Sequence, residues 1–212
     1  MTTLALIRHG QTDWNLQGLL QGSSDTPLNA TGRQQAHDAI PVLREAGIPW
    51  TVVVSSPLAR ARVTAEIVAE GLGIPFAGAY DDLIERDYSV LEGRSEAEVE
   101  RLWPGKSEPS VETLDSVVVR GHRALAQIAA DHPGEDVVVV CHGTIIRYTL
   151  SDLVGFKVDT IENATVSLLE SAEAAADDVI GSASVAWRVR TVNGIELAPS
   201  SAAADPEGGA AA

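Results

Sequence analysis

Two histidines each follow a short apolar run, and each precedes a glycine. His9 comes after residues 4–7, and His142 comes after the valines at 137–140. Such runs are typical of buried strands, and ligands of open α/β sheets bind at the carboxyl ends of the strands. A neutral imidazole is a nucleophile near neutral pH. The two histidines therefore predict a reactive site at one edge of a sheet.

An arginine stands directly before the first of these histidines. The guanidinium of Arg8 presents a planar fork of donors that matches the geometry of phosphate oxygens. Gly10, which follows His9, lets the backbone approach a ligand closely. This combination predicts that the group held beside His9 is an anion.

Two helix starts are predicted to add further donors. Residues 57–72 predict a helix with Arg60 in its first turn, at the positive end of the helix dipole. A second helix is predicted directly after the second histidine, where the backbone N–H groups of Gly143 and Thr144 would be free to donate to an anion.

The elements that must position these residues alternate between strand and helix patterns. This alternation predicts an α/β fold with three layers, in which helices cover both faces of a mostly parallel central sheet. We expect Pro41 to kink or interrupt the first long helix, and we expect residues 74–79 to form a loop. The predicted strands are residues 4–7, 51–54, 137–140, 166–169 and 185–192, and the predicted helices are residues 31–46, 57–72, 95–103, 111–131 and 144–154.

The chain length and its composition fit one domain with a tail. Of the 212 residues, we assign 1–197 to a single domain. Residues 198–212 are dominated by alanine and glycine and cannot build a core, so they predict a disordered tail. A homodimer would be one way to cover an exposed edge strand of the sheet.

The charge of the chain limits its partners. A net charge of −15 argues against nucleic acid and anionic membranes, which bind basic surfaces. No apolar run approaches the roughly 20 residues of a membrane span, and the first residues lack the features of a signal peptide. The single cysteine, Cys141, excludes an internal disulfide. These features together lead us to expect a cytoplasmic protein.

Three sequence blocks carry a resemblance to a known family. The run RHGQTDWN that begins at Arg8 resembles the signature of the histidine phosphatase superfamily, in the branch that contains phosphoglycerate mutases and their phosphatase relatives. The run SPLARARVTA that begins at Ser56 resembles the second block of that family. The run CHG that begins at Cys141 resembles its last block, with cysteine where serine is usual. The resemblance spans residues 4 to about 170, so it covers most of the chain and implies a phosphoglycerate mutase-like fold.

The resemblance implies catalysis through a covalent phosphohistidine. His9 would attack phosphorus through one ring nitrogen, while a backbone carbonyl holds the N–H of the other. Arg8, Arg60 and a protonated His142 would surround the phosphoryl oxygens, where charge gathers in the transition state. The positive charge of these side chains implies that neither a metal nor another cofactor is needed.

Other residues of the blocks imply roles around the phosphate. Asn15 would be a neutral donor, and Gln21 and Gly22 lie on a loop that borders the phosphate pocket in the family. Arg86 and Tyr88 resemble the mutase form of their segment, in which such residues help to hold a phosphoglycerate. Whether they contact the substrate here stays open.

A carboxylic acid is expected near the leaving group, because an ester oxygen leaves poorly without a proton. Glu85 falls where the family places this general acid, which then activates water to hydrolyse the phosphohistidine. Asp82, Asp87 and Glu92 lie in the same stretch and stay open as rivals. Ser89 departs from the family pattern, which has a glycine at that position.

These implications favour a phosphatase that acts on a small phosphorylated metabolite. A mutase is the first alternative, but mutases of the family carry a longer insertion than residues 86–141 allow, and an open site favours hydrolysis. A catalytically silent phosphate-binding module is the second alternative. Cys141 as a nucleophile and a metal held by His9 and His142 are rival uses of the same residues.

Overall fold

A computed structural model describes residues 1–104, 108–171 and 186–197 of the chain. The tail expected at 198–212 therefore lies outside the described residues, and the domain boundary at 197 stays a prediction. Within the described ranges, no helix is both long enough and apolar enough to cross a membrane.

Helices and strands alternate through the first two thirds of the chain. The helices are Asp13–Leu16 (α1), Ala30–Glu45 (α2), Ala59–Leu72 (α3), Glu96–Leu102 (α4), Leu114–Asp131 (α5) and Gly143–Val154 (α6). The strands are Thr3–Arg8 (β1), Val52–Ser55 (β2), Phe76–Ala79 (β3), Val137–Cys141 (β4), Val166–Ser171 (β5), Trp187–Val192 (β6) and Ile195–Glu196 (β7).

The described strands form one mixed sheet in the order β3-β2-β4-β1-β5-β6-β7. The first four strands of this order are parallel, and β5, β6 and β7 continue the sheet in antiparallel pairs. Parallel strands need crossover connections, and here helices supply them. The prediction of a three-layer fold around a mostly parallel core is confirmed.

Each face of the sheet packs against its own pair of long helices. Side chains of α5 and α6, such as Ile128 and Ile146, pack with Leu4 and Val139 on one face. Side chains of α2 and α3 pack on the opposite face. Because β1 and β4 are buried on both faces, their sequences read as continuous apolar runs rather than as an alternating pattern.

Two local predictions were wrong. Pro41 lies inside α2, which continues past it, so the predicted interruption was wrong while a kink at Pro41 stays a prediction. Proline has no N–H, so the carbonyl of His37, four residues earlier in the helix, lacks its usual donor. Both Pro41 and His37 lie on the exposed side of α2, where water can donate a hydrogen bond to this carbonyl. Residues 74–79 contain the edge strand β3 rather than only a loop. This half-exposed strand consists mostly of small residues, among them Gly78 with a φ of +126°, so it has no apolar pattern from which a strand could be predicted.

The register of the parallel strands brings three chain segments to one edge. Arg8 pairs with Cys141 across β1 and β4, and Ser55 pairs with Val140 across β2 and β4. The residues that follow β1, β2 and β4 therefore lie at the same carboxyl edge of the sheet, as does the first turn of α3 after β2. Both histidines of the sequence blocks emerge there.

Candidate active site

The imidazole of His9 is held in one orientation just beyond β1. Its Nδ1 lies 2.7 Å from the carbonyl oxygen of Gly10, and because a carbonyl can only accept, Nδ1 carries the hydrogen. Nε2 therefore keeps its lone pair, which accepts a hydrogen bond of 3.2 Å from Nε of Arg60. This tautomer leaves Nε2 as the nucleophilic atom.

The surroundings of His9 keep its ring neutral. Burial holds the pKa of His9 well below its usual value, and the charges of Arg60 and Arg8 lower this pKa further. A neutral ring is the nucleophilic form. The same two arginines that would bind a phosphate thus also prevent protonation of His9.

The second histidine lies beside the first. The ring centroids of His9 and His142 are 5.2 Å apart, with their planes inclined by 62°. Nε2 of His142 is 2.7 Å from the hydroxyl of Ser56, and its Nδ1 is buried without a partner among the described residues. His142 is fully buried behind the cavity wall, to which His9 and Gly143 contribute.

The family resemblance predicts a protonated His142, whereas the groups around it in the protein favour a neutral ring. Burial, Arg60 and His9 hold the pKa of His142 well below its usual value, so the ring is neutral with these neighbours alone. A protonated His142 in the phosphate-bound site stays a prediction, because a bound anion would offset the cost of placing a third cation beside two arginines.

Two arginines flank His9, of which Arg60 is fully buried and Arg8 is half-buried. The fully buried Arg60 donates from Nη1 to the carbonyl of Ser24 and from Nη2 to the carbonyl of Gly22, both at 2.7 Å. Arg8 donates from Nη1 to the carbonyl of Ile161 at 2.6 Å, while its Nε is buried without a partner among the described residues. Burial lowers the pKa of both guanidinium groups, yet arginine stays charged in proteins.

Two side chains that the sequence reading missed hold these groups in place. The hydroxyl of Thr64 donates to the carbonyl of Arg60 at 2.8 Å and accepts from the N–H of Gly10 at 3.1 Å, so it ties α3 to the loop after β1. The amide of Asn163 donates to the carbonyl of His9 at 2.8 Å. Thr64 could have been identified from the sequence, because it is the threonine of the second sequence block.

Glu85 lies at the N-terminus of α6. Its Oε2 accepts from the N–H of Thr144 at 3.0 Å, and its Oε1 accepts from the N–H groups of Ile145 at 3.3 Å and Arg86 at 2.8 Å. The N–H of Thr144 therefore binds a carboxylate of the protein, and its predicted role as a donor to the phosphate was wrong. Gly143 contributes differently: a Cβ there would lie 3.2 Å from Nε of Arg8, so the missing side chain leaves room for the guanidinium.

The rival acids are engaged elsewhere. Asp82 forms an ion pair with Arg123, which lowers the pKa of Asp82. Asp87 accepts from the backbone of Ser89, and Glu92 accepts from the serines at 23 and 24. Glu85 shares the cavity wall with His9, and these three acids do not contribute to that wall.

The loop after β1 contributes the remaining predicted residues. Oδ1 of Asn15 accepts from the backbone of Thr12 and caps α1, while Asn15 itself lines the cavity. Oε1 of Gln21 accepts from the hydroxyls of Thr12 and Thr26. Gly22, with a φ of +54°, offers its carbonyl to Arg60. Asn15 and Gln21 therefore have dual roles, in the loop and at the cavity.

A cavity of about 390 Å³ lies at this site, and its wall includes His9, Asn15, Gln21, Gly22, Glu85 and Gly143. Among the residues that the structure describes, four arginines line it, namely Arg8, Arg60, Arg86 and Arg147, against the two acids Glu85 and Glu96. The sequence reading missed Arg147, although it lies one helical turn after Gly143 and so shares that residue's face of α6. The cavity concentrates positive charge in an otherwise acidic protein.

Two rival chemistries find little support in this geometry. Burial raises the pKa of Cys141 to about 12, so the thiol is protonated at neutral pH and is not an activated nucleophile. Among the residues with described positions, no three His, Cys, Asp or Glu side chains lie close enough together to hold a metal ion.

Comparisons with known proteins agree with the site. Residues 4–177 match the family model described as histidine phosphatase superfamily (branch 1). The uncharacterized phosphatase PhoE of Bacillus subtilis is 38% identical over 177 residues, which cover 82% of this chain and 90% of that protein. A probable phosphoglycerate mutase, GpmB of Klebsiella pneumoniae, is 36% identical over 73% of this chain and 76% of that protein.

Solved structures show the same fold. YhfR of Bacillus stearothermophilus superposes with a TM-score of 0.77 at 25% identity, over 93% of this chain and 98% of that chain. A mycobacterial glucosyl-3-phosphoglycerate phosphatase superposes with a TM-score of 0.75 at 26% identity, over 90% of this chain and 98% of that chain. The sequence match over most of the chain and the paired histidines at the sheet edge lead to one conclusion: the protein is an enzyme of the histidine phosphatase superfamily, branch 1.

Proposed function

We propose that the protein hydrolyses phosphomonoesters through a phosphohistidine formed on His9. The observation that carries this proposal is the tautomer of His9: the hydrogen bond from Nδ1 to Gly10 leaves Nε2 without a hydrogen, beside the arginine-lined cavity. During attack the Nε2 lone pair exchanges the hydrogen bond from Arg60 for a bond to phosphorus. A neutral nucleophile next to fixed cations is what attack on a phosphate dianion requires.

The first chemical step transfers the phosphoryl group to the protein. Nε2 of His9 forms a bond to phosphorus while the bond between phosphorus and the ester oxygen breaks. The carboxylic acid of Glu85 gives its proton to the departing oxygen, so the product leaves as an alcohol. Arg8 and Arg60 stabilise the charge that gathers on the remaining phosphoryl oxygens.

The second step returns the enzyme to its starting state. The Glu85 carboxylate accepts a proton from a water molecule whose oxygen attacks phosphorus, and the bond between phosphorus and His9 breaks. Inorganic phosphate leaves, and Glu85 is again a carboxylic acid. The carboxyl group thus serves as acid in the first step and as base in the second, and the N–H groups of Thr144 and Ile145 hold it in place at the start of α6.

The cavity wall supports a second anionic group on the substrate. Arg86 and Arg147 line the cavity together with Arg8 and Arg60, and each is anchored through Nε to a backbone carbonyl, at 2.7 Å to Glu112 and 2.9 Å to Val158. Neither forms an ion pair with a described carboxylate. A phosphate bound between Arg8 and Arg60 would leave these two guanidinium groups for a carboxylate on the same molecule.

The names of two relatives agree with this substrate class. GpmB is named as a probable phosphoglycerate mutase, and the mycobacterial enzyme is named as a glucosyl-3-phosphoglycerate phosphatase. A phosphoglycerate carries a phosphate ester and a carboxylate. We therefore propose small phosphomonoesters that carry a carboxylate as the substrates.

A matched pair of substrates tests the proposal. 3-Phosphoglycerate and glycerol 3-phosphate differ by a carboxylate in place of a hydroxymethyl group. We expect phosphate release from both, with a higher kcat/KM for the carboxylated ester, and no release by His9→Ala. Arg147→Gln should lower kcat/KM by about 10- to 100-fold for the carboxylated ester only, because it removes one charge-assisted interaction.

The control variant is Arg62→Gln, which changes an exposed arginine of α3 that pairs with Glu66 outside the cavity. It should leave both substrates unaffected. Equal losses for the two esters in Arg147→Gln would contradict the assignment of a carboxylate. Conversion of 3-phosphoglycerate into its isomer without release of phosphate would identify a mutase instead.

A further inference from the structure

His142 lies between Ser56 and His9 because of the order of the strands. The sequence β2-β4-β1 in the sheet places the end of β4 between the ends of β2 and β1. The N–H of Ser56 bonds to the carbonyl of Val140, and the N–H of His9 bonds to the carbonyl of Cys141, each at 2.9 Å. The His142 ring thus has a hydroxyl on one side and the proposed nucleophile on the other.

The hydroxyl of Ser56 has a defined donor direction. Its oxygen accepts from the N–H of Leu58 at 3.3 Å and lies 2.7 Å from Nε2 of His142. With the incoming N–H accepted at the oxygen, the hydroxyl hydrogen is available to bond to the Nε2 lone pair. The opposite assignment would leave that buried hydroxyl hydrogen without an acceptor in the described part of the chain, which costs free energy.

We propose that Ser56 is a positioning residue that holds His142 in the tautomer with hydrogen on Nδ1, so that the neutral ring donates this hydrogen to an oxygen of the phosphoryl group on His9. The proposal rests on the proposed function for the identity of the acceptor. It assigns to Ser56 a part in the reaction that acts through His142 alone.

The surroundings of Nδ1 explain why a fixed tautomer of His142 would help the reaction. Nε2 makes the contact with Ser56, so Nδ1, the other ring nitrogen, is directed away from that hydroxyl. Nδ1 has no partner among the described residues, and the ring of His9 lies 5.2 Å away from that of His142. With the other tautomer, a lone pair at Nδ1 would face the phosphoryl oxygens and repel them. Protonation would also supply a donor at Nδ1, but burial beside Arg60 and His9 lowers the pKa of His142 and opposes it. Fixing the tautomer provides the donor without adding a third cation beside Arg8 and Arg60.

The tautomer can be read directly by NMR. We suggest two-bond ¹H–¹⁵N correlation spectra of the ¹⁵N-histidine-labelled full chain at neutral pH, with His142→Gln to assign the signals. The wild type should show hydrogen on Nδ1 of His142. Ser56→Ala should shift the ring toward hydrogen on Nε2 or toward a mixture, whereas Ser56→Thr, which keeps a hydroxyl, should retain the wild-type pattern.

The neighbouring serine provides a matched control. Ser55 is as fully buried as Ser56, but its hydroxyl donates to the carbonyl of Ser56 and not to His142. Ser55→Ala should therefore leave the His142 signals and turnover unchanged. Ser56→Ala should lower kcat and weaken competitive inhibition by inorganic phosphate, each by at least about tenfold, because one donor to the phosphoryl group is lost.

The outcomes separate this proposal from the proposed function. Hydrogen on Nε2 of His142 in the folded wild type, or an unchanged tautomer and unchanged kcat in Ser56→Ala, overturns the role of Ser56 whatever the activity of the protein. If the wild type releases no phosphate but shows the expected tautomers, the proposed function fails and the structural effect of Ser56 stands. Circular dichroism of each variant shows whether it is folded, and Ser56→Thr repeats the test if Ser56→Ala is not.

Discussion

Nε of Arg60 donates a hydrogen bond of 3.2 Å to Nε2 of His9, the atom that we propose as the nucleophile. The other two nitrogens of the guanidinium are fixed to the carbonyls of Gly22 and Ser24. Arg60 therefore has little freedom to leave, and its charge stays beside the imidazole. A cation in this position serves two purposes, because it suppresses protonation of His9 and stabilises the phosphoryl oxygens.

The first prediction concerns the pH dependence of Arg60→Gln. Burial lowers the pKa of His9 most, and the charge of Arg60 is the next cause, so removing this charge should raise the pKa. A higher pKa means that His9 becomes protonated, and inactive, at a higher pH. The acid limb of kcat/KM should therefore shift to higher pH, in addition to a loss of about 10²- to 10³-fold at the optimum.

The measurement is kcat/KM for p-nitrophenyl phosphate over a range of about pH 4 to 8, which includes the usual pKa of histidine. Titration of the substrate is common to all variants and does not affect the comparison. Arg60→Lys keeps the charge and should keep the position of the acid limb. An acid limb at the same pH in Arg60→Gln and in the wild type would contradict this account.

The second prediction separates a general acid from a merely structural carboxylate at Glu85. An alkyl ester needs a proton on its leaving oxygen, whereas p-nitrophenolate leaves well without one. Glu85→Gln should therefore lower kcat/KM for glycerol 3-phosphate about 100-fold more than for p-nitrophenyl phosphate. The quantity kcat/KM reports the first transfer step, so loss of the later water step does not obscure the comparison.

Glu96→Gln is the control for this prediction, since Glu96 is an exposed acid of the same cavity. It should change neither substrate's kcat/KM by more than a small factor. An equal loss for the alkyl and aryl esters in Glu85→Gln would show that Glu85 supports α6 and does not supply a proton.

The third prediction concerns a glycine outside the cavity. A Cβ at Gly32 would lie 2.1 Å from the carbonyl oxygen of Gln11, in the loop that follows His9. Gly32→Ala must push this loop away from α2, so we expect a loss of about 1–3 kcal/mol in the free energy of unfolding together with a lower kcat. Urea unfolding and phosphate release measure the two effects.

Thr31→Ala is the matched control, because it changes the exposed residue directly before Gly32 in the same helix turn. Its free energy of unfolding should stay within about 0.5 kcal/mol of the wild type. Wild-type stability and kcat in Gly32→Ala would mean that the loop after β1 is not held by this backbone contact.

Much of the fold could be predicted because its core strands are buried on both faces. The valines of β4 and the apolar run of β1 have few alternatives to a central parallel strand. The edge strand β3 could not be predicted in the same way, because Gly78 and its small neighbours pack against little. The effect of Pro41 could not be predicted for a different reason. The helix tolerates this proline because its side there is exposed to water, and only the tertiary structure shows which side that is.

The residues of the site could be predicted from the sequence, but their hydrogen-bond partners and charge states could not. Short blocks of sequence identified His9, Arg60 and His142, which the structure brings together. That the N–H of Thr144 binds Glu85 and not a phosphate depends on how two distant segments meet. The charge of His142 likewise depends on the depth of its burial beside other cations, which no local pattern records.

The most direct test is to trap the covalent intermediate. Rapid quenching into alkali during turnover of a ³²P-labelled phosphomonoester, followed by digestion and mass spectrometry, should find phosphate on the peptide that contains His9. This phosphate should be labile to acid and stable to alkali, and His9→Ala should lack it. Sustained phosphate release with no phosphate on His9 at any time of quenching would contradict the account.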